Sequence, residues 1–203
     1  MEANASNESD VARRYISFKN KILEMQACLT AIEKCPIPVV CAIHGACIGG
    51  GIDLSCCADV RICSPDAKFS VREARLGLAA DVGTLQRFPK ICGHGSRVRE
   101  LCLTGENFDA VEALRIGFVS RIESNLFESA MNVCQTIARN SPVAVQGTKL
   151  SLNYSRDHTV EEGLNHIAMH NAAALMTDDL IASVMAASGS EGNFQNMLPM
   201  AKL

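Results

Sequence analysis

No tryptophan occurs among the 203 residues, and there are only two tyrosines. Few ring faces are therefore offered to unpaired nucleic-acid bases. Positive charge is not in excess either. Nineteen Lys and Arg stand against 22 Asp and Glu, a net charge of −3, so no global positive field draws nucleic acid or an acidic membrane surface. No apolar run approaches the roughly 18–20 residues of a membrane span. Paired CxxC spacing is missing throughout, which removes the usual signature of a zinc site. No secretory signal is read before the first helix. The segment from Met1 to Asp10 is polar and acidic, unlike the Arg-rich pattern of an organelle transit peptide.

Ten cysteines are present all the same. Most lie in apolar runs. Cys41 and Cys47 flank a strand-like stretch, and Cys56, Cys57 and Cys63 follow closely. They are expected to be small buried hydrophobes in a reducing compartment. Cys56 and Cys57 are adjacent on a helix and point apart, so no bridge joins them. The remaining composition, 48% hydrophobic and 20% charged, is that of an ordinary globular domain.

Periodicity sets out the elements. Val11, Tyr15, Phe18, Ile22, Met25, Leu29 and Ile32 recur every three or four residues, which predicts a helix with a core-facing stripe over 11–32. Pro36 and Pro38 stop it. Val39–Ile43 reads as a buried strand, 45–51 as a glycine turn and 52–58 as a helix. Val60–Cys63 and 68–71 read as further strands. From about Val82 the pattern is mainly helical, with helices over 96–104 and 109–116 and C-terminal stops at Gly105 and Gly117. A short strand is expected over 119–122. Ser141-Pro142 has the form of a helix start, and Thr159 to Glu162 of a capping box. Strand–helix alternation followed by helices predicts an α/β architecture.

The chemistry concentrates in two segments. His44-Gly45-Ala46-Cys47-Ile48-Gly49-Gly50-Gly51-Ile52-Asp53 carries three glycines from a strand into a helix. Glycine allows unusual backbone angles and close approach, and a helix start presents unpaired N–H groups. A dinucleotide fingerprint fails here because Leu54 occupies its last glycine position. A P-loop fails because Gly51 stands where lysine is needed. An oxyanion hole remains, with Asp53 just inside it. The second segment runs from Phe69 to Arg87. Glu73 is expected at the end of a strand, and Asp81 before a helix. Leu78, Ala79, Ala80 and Val82 flank Asp81, so desolvation is expected to raise its pKa toward the range useful for proton transfer. Each acid also has a plain structural reading. Asp53 can serve the helix dipole, Glu73 can pair with Arg72 or Arg75, and Asp81 can cap a helix.

The glycine run with Asp53, an acid twenty positions on, and Gly77-Leu78-Ala79-Ala80-Asp81-Val82-Gly83-Thr84-Leu85-Gln86-Arg87 together resemble the enoyl-CoA hydratase/isomerase (crotonase) family. Ser141 to Lys149 and Tyr154 to His158 extend the resemblance, which lies nearest the Δ3,5-Δ2,4-dienoyl-CoA isomerases within that family. It implies stacked ββα turns and a helical C-terminal region that assembles trimers or hexamers. It also implies an acyl-CoA substrate in fatty acid β-oxidation, a thioester oxygen held by the Gly50 N–H, and catalytic acids at Asp53, Glu73 and Asp81. No cofactor is implied beyond the coenzyme A of the substrate, and no metal. A hydratase tends to have Glu at the Asp53 position and no acid at the Asp81 position, which favours the isomerase. The roles of Glu73 and Asp81 at the two ends of the diene are interchangeable on this reading.

The family's first strands and helices, with the second oxyanion N–H, precede the segment matching residues 11–34. The expected divisions are therefore a polar tail over 1–10, a partial crotonase core over 11–140, a helical region over 141–187 and a flexible tail over 188–203. Enoyl-CoA hydratase or isomerase chemistry of another kind is one alternative. A non-catalytic subunit that joins family trimers is another. Missing strands would leave sheet edges exposed. The last residues, Ala201-Lys202-Leu203, form a variant of the peroxisomal Ser-Lys-Leu address, read by an import receptor. His166 and His170 stand four apart on a helix and are expected to be structural.

Overall fold

The structure is a computed structural model and describes residues 10–187. It opens with a long helix, α1 (Val11–Lys34), capped by Asp10, whose side chain accepts from the Ala12 N–H. The expected core-facing stripe on α1 is not buried. Val11, Tyr15, Phe18 and Met25 are all more than half exposed. Among the described residues, side-chain hydrogen bonds and ion pairs from α1 to later elements start only at Gln26.

Two small sheets follow. Strands β1 (Val40–Ile43), β3 (Val60–Cys63) and β6 (Arg121–Ile122) form a parallel sheet in the order β1-β3-β6. Strands β2 (Ala46–Ile48), β4 (Lys68–Ser70) and β5 (Phe108–Asp109) form the other, with β2 and β4 parallel and β5 antiparallel to β4. The chain crosses between sheets twice by the same route. It passes through β1, β2 and the short helix α2 (Gly50–Cys56), then through β3, β4 and the helix α3 (Thr84–Ile91). Each pass is one ββα turn stacked on the last. Its strands are too short, and too unlike each other, for the repeat to be visible as sequence similarity. β1 and β2 are both edge strands among the described residues, and Ala42, Ala46 and Ile48 are exposed.

Buried side chains between the sheets and the following helices, α4 (Gly95–Thr104) and α5 (Ala110–Arg115), make the core. Four phenylalanines centre it. Phe69 stacks on Phe108, and the Phe118 ring meets Phe69 and Phe88 edge-on. Phe69, Phe88 and Phe118 are fully buried, each contributing about 1.5–3 kcal/mol through burial. Seven cysteines spread around this core as expected of small apolar residues. Cys47, Cys56, Cys57, Cys63 and Cys92 are buried, and Cys41 and Cys102 pack against the core. Cys28 on α1 is exposed, and all ten thiols are free.

Helices α6 (Leu126–Ala138), α7 (Pro142–Ser155), α8 (Val160–Ala174) and α9 (Asp178–Ala187) complete the described chain. The cap signals hold. Ser141 accepts from the Ala144 N–H with Pro142 at the first helical position, and Thr159 and Glu162 form a reciprocal capping box. Gly105 ends α4 in the left-handed region. The sharpest misses are β2, a strand expected as part of a glycine turn, and β5, too short to read from sequence. The tail over 188–203, with Ala201, Lys202 and Leu203, and residues 1–9 lie outside the described residues. No helix among the described residues is long and apolar enough to cross a membrane.

Candidate active site

Parallel pairing of β2 with β4 brings the two chemical segments together. Ile48 stands opposite Ser70, and the chain leaves both strands at the same sheet end. The next residue after β2, Gly49, donates its N–H to Ser70 O at 2.9 Å. Gly49 has φ 55° and ψ −116°, a conformation that suits glycine alone. A Cβ there would also lie 2.9 Å from Glu73 Oε1. The Glu73 carboxylate therefore sits directly against the glycine turn, and only a residue without a side chain lets it do so.

α2 starts at Gly50. Ile52 and Asp53 donate to Gly49 O, so the N–H groups of Gly50 and Gly51 precede the first intrahelical bond. Gly50 is exposed. This is the arrangement expected of a donor to a developing negative oxygen.

Glu73 opens a 3-10 turn over Glu73–Leu76 and does not end a strand, because β4 stops at Ser70. Neither neighbouring arginine turns to it. Arg72 donates to Asn107 Oδ1, and Arg75 donates to Thr104 O. The ion-pair reading of Glu73 therefore fails for both arginines. Glu73 Oε2 is buried and accepts no hydrogen bond among the described residues. A carboxylate oxygen left in this state has capacity for a substrate proton.

Asp53 is 1% exposed. Its Oδ1 accepts two hydrogen bonds from Thr84, one from the backbone N–H and one from the hydroxyl, both at 2.7 Å. The helix dipole it serves is not that of its own helix. α3 begins at Thr84 after Gly83, which has no capping side chain, and Asp53 supplies the cap from α2. Asp53 Oδ2 is buried and accepts no hydrogen bond among the described residues.

Asp81 lies three residues before α3 and is exposed, as are Leu78 and Ala79 on one side of it. Ala80 and Val82 are turned into the protein instead. The apolar flanks therefore do not desolvate Asp81, contrary to the expectation from sequence, because the neighbours alternate between the interior and solvent. Its backbone is held: Gln26 of α1 donates its side-chain amide to Asp81 O at 2.6 Å. The structure thus joins Glu73 to the glycine turn directly, and Asp53 to the Asp81 segment through Thr84. Sequence reasoning did not single out Thr84 or Gln26. Thr84 sits inside the recognised motif, but Gln26 lies 55 residues from its partner and leaves no local signal.

The chain matches the enoyl-CoA hydratase/isomerase family model over residues 8–186. It belongs to this family. The mitochondrial Δ3,5-Δ2,4-dienoyl-CoA isomerase of Rattus norvegicus is 49% identical over 181 residues, which cover 88% of this chain and 55% of the relative. The peroxisomal Δ3,5-Δ2,4-dienoyl-CoA isomerase of Arabidopsis thaliana is 45% identical over 185 residues, covering 90% and 66% respectively. Among solved structures, an enoyl-CoA hydratase/isomerase from Cupriavidus metallidurans CH34 superposes with a TM-score of 0.81 at 28% identity, over 90% of this chain and 71% of that one. The stacked ββα turns are thus those of the crotonase fold. The chain spans little more than half the length of the Rattus relative it matches.

Other features of this family member lie away from the acids. A cavity of about 640 Å³ between β3, α6, α7 and α9 contains none of the three. Beside it, Lys149 pairs with Asp59 at 2.7 Å and also donates to Ile37 O, which fixes α7 to the start of the first sheet. His166 and His170 face α7. The ring of Tyr154 is stacked between those of His158 and His166, and His170 lies over Gly147. No group of three or more metal-ligating side chains gathers among the described residues.

Proposed function

We propose that this chain isomerises 3,5-dienoyl-CoA thioesters to their 2,4-dienoyl isomers in fatty acid β-oxidation. The observation that carries the reading is the Glu73 carboxylate lodged against Gly49, one residue from the Gly50 donor, with one oxygen unpartnered. Glu73 takes a proton from C2. Negative charge spreads along the diene to the thioester oxygen, where the Gly50 N–H stabilises it. Asp81 delivers a proton to C6, giving the conjugated product with no net change in atoms. Asp53 is the buried anchor that holds the segment carrying Asp81. The bound acyl chain, in place of protein, provides the apolar surroundings of Asp81. Coenzyme A enters as part of the substrate, and the reaction needs no further cofactor or metal. The identities to proteins named Δ3,5-Δ2,4-dienoyl-CoA isomerase support this choice of reaction.

The described surface also supports self-assembly into a trimer or hexamer. Val160, Leu164 and Met169 on α8, with Leu175 and Met176 after it and Ile181 on α9, are all more than half exposed. Association of copies would take such side chains out of water. Light scattering should give the mass of three or six copies, and a monomer at micromolar concentration would contradict it. Import through Ala201-Lys202-Leu203 is the proposed route to the peroxisome. Removing the three residues should leave a tagged chain in the cytosol, and unchanged import would refute the signal.

The catalytic reading is tested with the 203-residue chain and a 3,5-dienoyl-CoA, by following the ultraviolet absorbance of the conjugated product. Turnover that falls at least about a hundredfold in Glu73→Gln supports it. Full activity in both Glu73→Gln and Asp81→Asn contradicts the mechanism, and failure to bind acyl-CoA contradicts the assignment.

A further inference from the structure

The segment Ala80–Gly83 is held at two points, by Gln26 of α1 and by Asp53 of α2. At one end Gln26 Nε2 donates to Asp81 O at 2.6 Å. At the other, the Thr84 N–H and hydroxyl both donate to Asp53 Oδ1 at 2.7 Å. Between them Gly83 has φ 132°, and the Arg87 guanidinium lies where a Gly83 Cβ would be. That guanidinium is itself held to α1, donating to Glu33 Oε2 and to Thr30 Oγ1. The exposed side chain of Asp81 therefore projects from a backbone clamped by α1 on one side and α2 on the other.

We infer that Gln26 and Thr84 are positioning residues for Asp81, acting through its backbone without touching the substrate. The inference rests on the isomerase reading for its kinetic consequence but not for the clamp itself. A carboxylate that must meet one carbon of a bound diene gains from a fixed backbone, since small displacements of a reacting group lower rates steeply. Gln26 is half-buried on α1 and makes one such bond, so its loss should disturb the segment more than the fold. Thr84 is fully buried, and Thr84→Val preserves its shape while removing the hydroxyl donor.

The test follows deuterium incorporation from solvent separately at C2 and C6, along with kcat and KM, in Gln26→Ala, Thr84→Val and Thr84→Ser. Gln26→Ala and Thr84→Val should lower kcat about tenfold, the equivalent of about one hydrogen bond. KM should stay within about twofold, and incorporation should drop only at the diene end that Asp81→Asn also impairs. Thr84→Ser keeps the donor and should recover most of the loss. Equal loss at both ends, or a change confined to KM, would overturn the inference. If the unmodified chain does not isomerise the diene, the isomerase reading fails on its own account. The clamp is then judged by amide hydrogen exchange over 80–84. Exchange about tenfold faster in Gln26→Ala upholds it, and unchanged exchange overturns it.

Discussion

Asp53 shows how far a residue's role depends on what lies across from it. In sequence it is an acid near a helix start. In the fold it is a buried carboxyl group whose first oxygen caps a different helix, at Thr84. Replacing it with Ala would strip α3 of that cap and leave the Thr84 donors unpaired, at a cost of about 1–3 kcal/mol in urea unfolding. An unchanged midpoint would contradict the anchor role. The thiols make a second prediction at this scale. Burial pushes Cys92 up to about 12, and Cys47 and Cys63 up to about 11, so these groups stay protonated and shielded at neutral pH. Cys28 is exposed. Iodoacetamide at pH 7 should alkylate Cys28 first and reach Cys47, Cys63 and Cys92 only after denaturation. Early modification of Cys92 in the native protein would contradict the packing described.

Between elements, two contacts have consequences of opposite kind. The first is electrostatic. Arg97 on α4 pairs with Glu112 on α5 and with Glu106 in the connection between them. Hydrogen bonds from Arg115 and Arg97 hold the Glu112 carboxyl down at about 2. Its folded pKa is therefore lower than its unfolded one, near 4.5. The stabilisation is fully present above the unfolded value and is lost as pH falls toward 2. Glu112→Gln should thus be less stable than the parent at pH 6, and the gap should narrow steadily below about pH 4. A gap that widens in acid would show the sign to be wrong. The second contact is steric. A Cβ on Gly147 would lie 2.1 Å from His170 Nε2. Gly147→Ala should therefore cost about 1–3 kcal/mol, and clearly less in a His170→Ala background. Equal costs in both backgrounds would mean that the α7–α8 contact is not the cause.

At the scale of the whole molecule, the legible and illegible parts divide by the range of the interactions that decide them. Helix caps at Ser141 and Thr159 are local chemistry, readable from Ser141-Pro142 and from Thr159 to Glu162. The spacing of Asp53, Glu73 and Asp81 was readable as a motif, because one sequence carries all three acids into consecutive ββα turns. What could not be read was decided across the chain. Strand β2 exists only because Ala46–Ile48 pairs with β4. Asp81 was expected to be desolvated, yet side chains in its segment alternate between interior and solvent, and its hold on α1 comes from Gln26, 55 residues away. The stripe on α1 has a helical period without a surface among the described residues to cover Val11, Tyr15 and Phe18. Periodicity reports that a face is apolar and not what it meets.

The central claim is that Glu73 and Asp81 move protons at opposite ends of one diene from a backbone frame held by Gly49, Asp53 and Thr84. The most direct measurement is solvent deuterium incorporation at C2 and at C6 of 3,5-dienoyl-CoA by the parent chain, Glu73→Gln and Asp81→Asn. The account predicts incorporation at both carbons in the parent, loss at both in Glu73→Gln because no delocalised anion forms, and loss at C6 with C2 exchange retained in Asp81→Asn. Incorporation at C6 that persists in Glu73→Gln, or C2 exchange lost together with C6 in Asp81→Asn, would contradict it.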